Sequence, residues 1–128
     1  SSVERDRETL ASTRYQMAES CLALGRTAEA ERLARRALDG HGALLRSNPG
    51  NSSVAVSVAW DHVTLAKALV ATAAGATPEN GRRRQACLAY REASRLATEL
   101  RAAGRLAGGD NEILDWTREG LAHCGAES

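Results

Sequence analysis

The sequence predicts an all-α fold of about five helices arranged in antiparallel hairpins. Its composition favours helix, since alanine and leucine dominate, phenylalanine is absent and proline occurs twice. Apolar residues recur at intervals of three and four along most of the chain. Breaks rich in glycine, asparagine and proline interrupt this pattern four times and divide the chain into five segments. The 128 residues fit one domain, and we expect 1–128 to be a single unit and a fragment of a larger protein.

Charge and hydropathy exclude several classes of protein. The net charge is +1, so the global charge implies no strongly charged partner, and 43% apolar residues argue against wholesale disorder. There is no run of 18 apolar residues and no charged-then-apolar leader, so the sequence predicts neither a membrane span nor a signal peptide. We therefore expect a cytoplasmic protein.

The first two segments form the first predicted hairpin. The polar residues 1–7 are expected to fray, and a helix is expected over 8–24. Gly25 follows at the place where a left-handed residue commonly ends a helix. Thr27 then offers an N-cap for a second helix, whose apolar stripe extends to the turn formers of 47–52.

The third segment has features of both strand and helix. Residues 54–60 alternate like a strand, but they continue without a break into helical spacing. A single strand would also have no partner in this chain. We therefore predict one helix over about 53–74, capped by Asn51, Ser52 or Ser53.

The last two segments are also expected to be helices. The residues at 77–79 supply an N-cap, a first-turn proline and a first-turn acid for the fourth helix, which Gly104 ends. A glycine pair precedes the fifth helix, which Asp110 or Asn111 caps and which extends to about Cys124.

One spacing of large and small residues occurs in the first hairpin and again, less regularly, in the third and fourth helices. The first copy consists of Met17, Ala18, Cys21, Gly25, Ala30 and Ala37, and the second of Leu65, Ala66, Leu69, Ala86, Tyr90 and Ala93. This pattern resembles the tetratricopeptide repeat (TPR), and the resemblance covers about 12–104. It implies a TPR-like α-α superhelix of about two repeats with a C-terminal capping helix. The segment 86–93, followed by 100–104, looks like the terminal repeats appended to bacterial serine/threonine kinases and winged-helix regulators. This resemblance implies a regulatory part of a larger bacterial protein.

The resemblance also implies a function. The first helix of each pair would line a concave face that binds a peptide segment or a helix of another protein, as a scaffold or interaction module. The residues expected there are Tyr15, Glu19, Leu22, Trp60, Val63, Lys67 and Val70. For Tyr15 and Trp60, a place in the core is an equal alternative. The open N-terminal face would meet upstream repeats or a second copy of the chain, giving a homo-oligomer.

An arginine-rich stretch in the fourth helix supports an alternative function. The basic stripe consists of Arg82, Arg83, Arg84, Arg91 and Arg95, followed by further arginines, and it would suit phosphates or nucleic acid. The one aromatic residue within it is Tyr90, which the repeat pattern already uses, so no series of aromatic residues is interleaved for stacking on bases. The competing interpretation is a solvent-exposed helix face that is partly paired with the acidic last helix.

Residues for catalysis or metal binding show no recognisable spacing. Cys21, Cys87 and Cys124 are widely separated, and we interpret them as reduced, buried and apolar in role. With the three histidines they include the ligand types of a zinc site but no CxxC or HxxxH spacing, and no phosphate-binding glycine loop is present. We therefore expect a non-catalytic protein without metal or cofactor. A cysteine and a histidine would form a nucleophile pair only if they met in space.

Overall fold

The computed structural model describes residues 1–75 and 81–125. These residues form five α-helices and one 3-10 turn and contain no strand, so the predicted all-α class with about five helices is confirmed. The helices are α1 (Ser2–Ala23), α2 (Thr27–Ser47), α3 (Ser52–Ala74), α4 (Arg82–Ala102) and α5 (Glu112–Leu121), and the 3-10 turn is Gly108–Asn111.

The start of α1 shows that the fraying predicted for 1–7 was wrong. Ser1 is the N-cap: its hydroxyl accepts a hydrogen bond from the Glu4 backbone N–H at 3.3 Å. The Glu4 carboxylate in turn accepts from the Ser1 amino group at 3.3 Å. This reciprocal capping box satisfies two donors at the helix end and extends α1 to the first residues. The spacing of apolar residues does not reveal such capping side chains, so it did not predict this helix start.

Other helix ends lie at or near their predicted places. Gly25 follows α1 and Gly104 follows α4, with left-handed φ angles of 78° and 72°. Asn51 caps α3 by accepting from the Val54 N–H at 3.2 Å, so one of its three candidate caps is identified. Thr27 is the first residue of α2 rather than its cap.

The ends of α4 and α5 are less regular. Gly81 precedes α4 in a left-handed conformation, whereas the cap predicted at 77–79 lies outside the described residues. The helix α5 follows Asn111 without a side-chain cap. It ends at Leu121, three residues before the predicted end at Cys124.

The central element of the fold is α3. It packs along α2 and α4 and also contacts α1 and α5. By length and composition it is the one described helix that could cross a membrane, and 61% of its apolar window is buried inside the protein. Burial of this extent fits the core helix of a helical domain, because such a helix is apolar on nearly every side.

Small residues set how closely the helices approach. A Cβ added to Gly40 on α2 would lie 2.9 Å from the Ala11 Cβ on α1. A Cβ added to Gly120 on α5 would overlap the ring of Tyr90 on α4. Several alanines at the helix contacts are fully buried, namely Ala18, Ala30, Ala34, Ala37, Ala59, Ala66, Ala68, Ala93 and Ala97. The alanine-rich pattern of the sequence therefore corresponds to close helix packing.

A disulfide joins the start of α4 to the end of α5. Cys87 near the start of α4 bonds to Cys124, just after α5, with the two Cα atoms 6.0 Å apart. The prediction that all three cysteines are reduced was therefore wrong. Cys87 and Cys124 are 37 residues apart in the sequence, which gives no indication of their distance in space. They meet because α5 returns antiparallel along α4. Cys21 is the remaining thiol, and it is buried against the carboxylate of Glu29.

Candidate functional site

Four of the residues predicted to bind a partner come together on one side of the domain. Tyr15 and Glu19 are on α1, and Trp60 and Lys67 are on α3. Tyr15 and Trp60 line one cavity, and the charge of Glu19 acts on both Tyr15 and Lys67. Residues from the fifth helix and its preceding turn complete this side. We define the α1–α3–α5 surface as Tyr15, Glu19, Trp60, Lys67, Asp110, Glu112 and Trp116.

A cation–π contact joins α3 to α5 on this surface. The Lys67 ammonium lies 3.5 Å from the centre of the Trp116 ring, and Trp116 remains 38% exposed. Partial burial lowers the pKa of Lys67, although the charges of Glu19 and Glu112 act in the opposite direction. Trp116 escaped the sequence analysis because the last helix was assigned a capping role, and nothing in its spacing distinguishes a cap from an interface.

Trp60 is both a core and a surface residue. It is half-buried and packs against a core cluster of α2, α3, α4 and α5 that includes Ile113. Its indole N–H donates to the Asp110 carboxylate at 2.9 Å. The donor is therefore satisfied while part of the ring remains accessible, which is the usual arrangement of tryptophan at interfaces. The core alternative therefore applies in part, and the role of Trp60 in binding a partner stays a prediction.

Tyr15 is also half-buried. Burial raises the pKa of its phenol, and the neighbouring carboxylate of Glu19 raises it further. Tyr15 therefore carries no charge at neutral pH, and it presents a neutral hydroxyl on an apolar ring.

The other three predicted contact residues have different positions. Val63 is fully buried in the core, so its assignment to a partner-binding face was wrong. Leu22 is partly buried and packs against a core cluster, while Val70 is 37% exposed and lines a separate cavity beside the disulfide. Because α3 is surrounded by other helices, its periodicity does not separate an exposed face from the core.

The basic stripe of α4 is partly neutralised. Arg82 pairs with Glu31 on α2 at 3.4 Å. Arg95 pairs with Glu92 and with Glu99 on its own helix, and these hydrogen bonds raise the pKa of the guanidinium. The described acceptors for these two arginines are therefore on α2 and α4, not on the acidic last helix as expected. Arg83, Arg84 and Arg91 are exposed.

A buried polar cluster lies beside the α1–α3–α5 surface. The His41 Nδ1 is 2.6 Å from Asp61 Oδ2, and the His41 Nε2 is 3.2 Å from the Ser12 hydroxyl. His41 is 1% exposed and Asp61 is 0% exposed. Burial raises the pKa of Asp61 to about 6, against the lowering effect of its hydrogen bond to His41. The second carboxylate oxygen, Oδ1, has no hydrogen-bond partner among the described residues.

A cavity of about 170 Å³ opens onto this cluster. Its lining residues are Ser12, Tyr15, Gln16, His41, Ser57, Trp60 and Asp61. The sequence analysis missed the cluster because its three members lie on three different helices, with no fixed spacing to reveal them. A histidine within an apolar helix stripe was the one available signal.

The cysteines and metal-ligand residues form no comparable site. Cys87 and Cys124 are bonded to each other, so neither is a free nucleophile. Within 1–75 and 81–125, no group of three or more His, Cys, Asp or Glu side chains has the arrangement of a metal site.

Comparisons with known proteins leave the chain without an assigned relative. No family model matches it, and neither the curated proteins nor the solved structures include a match. The resemblance to tetratricopeptide repeats therefore stays a prediction.

Proposed function

We propose that this chain is a protein-interaction module that binds a segment of another protein on the α1–α3–α5 surface. The observation that carries the proposal is the convergence of Tyr15, Trp60 and Trp116 from three helices. Tyrosine and tryptophan are the side chains that most often anchor protein interfaces. Trp116 is also more exposed than a residue needed only for the core.

The charges of this surface favour a partner with basic and apolar side chains. This surface carries three carboxylates, those of Glu19, Asp110 and Glu112, and the single ammonium of Lys67. The charges of Glu19 and Glu112 act on that ammonium, and Asp110 accepts from Trp60. Trp116 covers that ammonium. An extended segment or an amphipathic helix that places a lysine or arginine next to an apolar residue would therefore match it best.

The tetratricopeptide interpretation belongs to the same proposal. It is supported by the Gly25 turn, by the close α1–α2 contact at Gly40 and by the succession of two hairpins and a shorter last helix. On this interpretation the chain is a regulatory or scaffolding part of a larger bacterial protein. Its function is to bind a partner, which requires no catalytic residues.

Binding experiments with variants of exposed residues test the proposal. We expect Trp116→Ala and Lys67→Glu to lose the same partners, as identified by cross-linking and mass spectrometry. Leu88→Ala on α4 is the matched control, since Leu88 is a large apolar residue that is 55% exposed but lies outside this surface. If both surface variants keep their helical circular dichroism and all wild-type partners, the proposal is wrong.

Self-association is a second candidate, and a separate observation favours it. Three large apolar residues on α1 and the residue that caps its end are exposed at intervals of seven, namely Val3, Leu10, Met17 and Leu24, with exposures from 49% to 70%. We call them the α1 outer stripe. Residues seven apart lie on one side of a helix, and α1 is the first helix, with α2 and α3 as its main neighbours. This stripe fits a second copy of the chain.

The mass in solution tests this candidate. We expect the wild type to sediment as a dimer at tens of micromolar and Leu10→Glu with Met17→Glu to sediment as a monomer. Leu88→Glu, which adds a carboxylate to another exposed leucine, should stay dimeric. A monomeric wild type would exclude self-association through this stripe.

The basic stripe of α4 and the cytoplasmic location stay predictions. Binding of the stripe to nucleic acid requires an affinity that falls steeply with salt, and the ion pairs of Arg82 and Arg95 reduce the charge available for it. The Cys87–Cys124 disulfide weighs against the predicted cytoplasmic location, because disulfides persist mainly in oxidising compartments.

A further inference from the structure

The hydrogen-bond directions in the Ser12–His41–Asp61 cluster follow from its chemistry. An ionised Asp61 only accepts, so the proton between Asp61 and His41 belongs to His41 Nδ1. In a neutral imidazole, Nε2 is then an acceptor. The Ser12 hydroxyl, 3.2 Å away, must be the donor. This is the polarisation that makes a serine hydroxyl nucleophilic.

The exposure of the three side chains increases from Asp61 through His41 to Ser12. Asp61 and His41 are almost completely buried, whereas Ser12 is partly exposed and lines the cavity of about 170 Å³. A molecule entering from solvent therefore meets the hydroxyl before it meets the imidazole. The volume suits a small acyl group rather than a peptide.

The surroundings also limit the reaction. Ser12 lies within α1, so the nearby backbone N–H groups are used by the helix and are not free to stabilise an oxyanion. Gln16, one turn later and lining the same cavity, carries a side-chain amide that can donate. With one such donor we expect slow acyl transfer, restricted to esters with a good leaving group.

We propose that Ser12 is a nucleophile activated by His41 and positioned through Asp61, and that it accepts small acyl groups from activated esters. The Ser12 oxygen bonds to the ester carbonyl carbon and its proton passes to His41 Nε2. The bond to the leaving alcohol breaks, and His41 returns the proton to that alcohol. Water then attacks the acyl-serine by the same route and releases the acid. This activity goes beyond the proposed binding function and beyond the non-catalytic expectation.

The test is acetylation of the full chain by p-nitrophenyl acetate, mapped by peptide mass spectrometry. Ser57 is an internal control, because it lines the same cavity but donates to the Ser53 carbonyl at 3.3 Å instead of to a histidine. We expect Ser12 to be acetylated at least about 100-fold faster than Ser57, as expected for a general base acting on one of two serines. Ser12→Ala should abolish the fast adduct.

Variants of His41 and Asp61 distinguish activation of the Ser12 hydroxyl from a purely structural role of these two residues. His41→Asn and Asp61→Asn should lower acetylation of Ser12 without changing that of Ser57. A loss of packing would alter both serines, since they share one cavity. Equal acetylation of Ser12 and Ser57 in the wild type overturns the proposal, whatever the folding of the variants. So does a fast adduct that persists in Ser12→Ala.

Discussion

The two ends of the domain are held together by different interactions. The helices α1, α2 and α3 meet at a buried polar cluster, in which His41 links Ser12 to Asp61. The helices α4 and α5 are joined by the Cys87–Cys124 disulfide and by the close contact at Gly120. The long N-terminal helices bury enough apolar surface to accommodate a polar cluster. In contrast, α5 has ten residues, of which only Ile113 and Thr117 are buried, so a covalent restraint contributes more there.

The largest expected effect is on the polar cluster. His41→Ala should lower the free energy of unfolding by about 4 kcal/mol, because it leaves Asp61 buried without a partner. Urea denaturation followed by circular dichroism at pH 7 measures this loss. The double variant His41→Leu with Asp61→Leu should recover most of it, since no buried charge remains. A loss below about 1 kcal/mol in the single variant would contradict the view that the pair is tightly coupled.

The next effect concerns the disulfide. Cys87→Ala with Cys124→Ala should lower the free energy of unfolding by about 3 kcal/mol, because the unfolded chain loses a closed loop. A reducing agent should lower the wild-type value by the same amount and leave the variant unchanged. The control Cys21→Ala should respond to the reducing agent as the wild type does. If the wild type is insensitive to reduction, the bond does not stabilise the α4–α5 end.

The pH dependence of stability distinguishes the polar cluster from the disulfide, because Asp61 titrates and the bonded cysteines do not. The pKa of Asp61 is raised in the folded protein to about 6 from the model-peptide value of 3.8, so the folded state holds this proton more tightly. The associated stabilisation is complete below pH 4 and is lost as the pH rises through 6. The stability difference between wild type and Asp61→Asn should therefore fall by on the order of 2 kcal/mol between pH 4 and pH 6.5. A difference that rises with pH would show that Asp61 is an ordinary paired carboxylate.

The smallest expected effect lies where the two ends meet, at Lys67 and Trp116. Lys67→Met keeps most of the side chain and removes the ammonium, and it should lower the free energy of unfolding by about 0.5–1 kcal/mol. In the Trp116→Ala background the same change should have almost no effect. Thermal or urea unfolding of the four proteins gives this coupling energy directly. Equal losses in both backgrounds would mean that the cation and the ring do not interact.

Much of the fold could be predicted because helix formation depends on local features. The glycines after α1 and α4, the Asn51 cap and the continuous third helix follow from short-range rules of spacing and capping. The capping box at Ser1 obeys equally local rules, but periodicity does not detect it. Tyr15 and Trp60 lie on α1 and α3, the helices that the repeat pattern assigned to them, and their role in binding stays a prediction.

The amino-acid sequence by itself determined the number of helices, most of their ends and the alanine-rich contacts that bring them close, because each depends on residues a few positions apart. Only the tertiary structure decided which residues meet across helices. It placed Val63 in the core, paired Cys87 with Cys124, set Trp116 over Lys67 and joined Ser12 to His41 and Asp61. The contacts between residues span 20 to 49 positions. Helix periodicity indicates which side of a helix is buried, but not which residue of another helix that side meets.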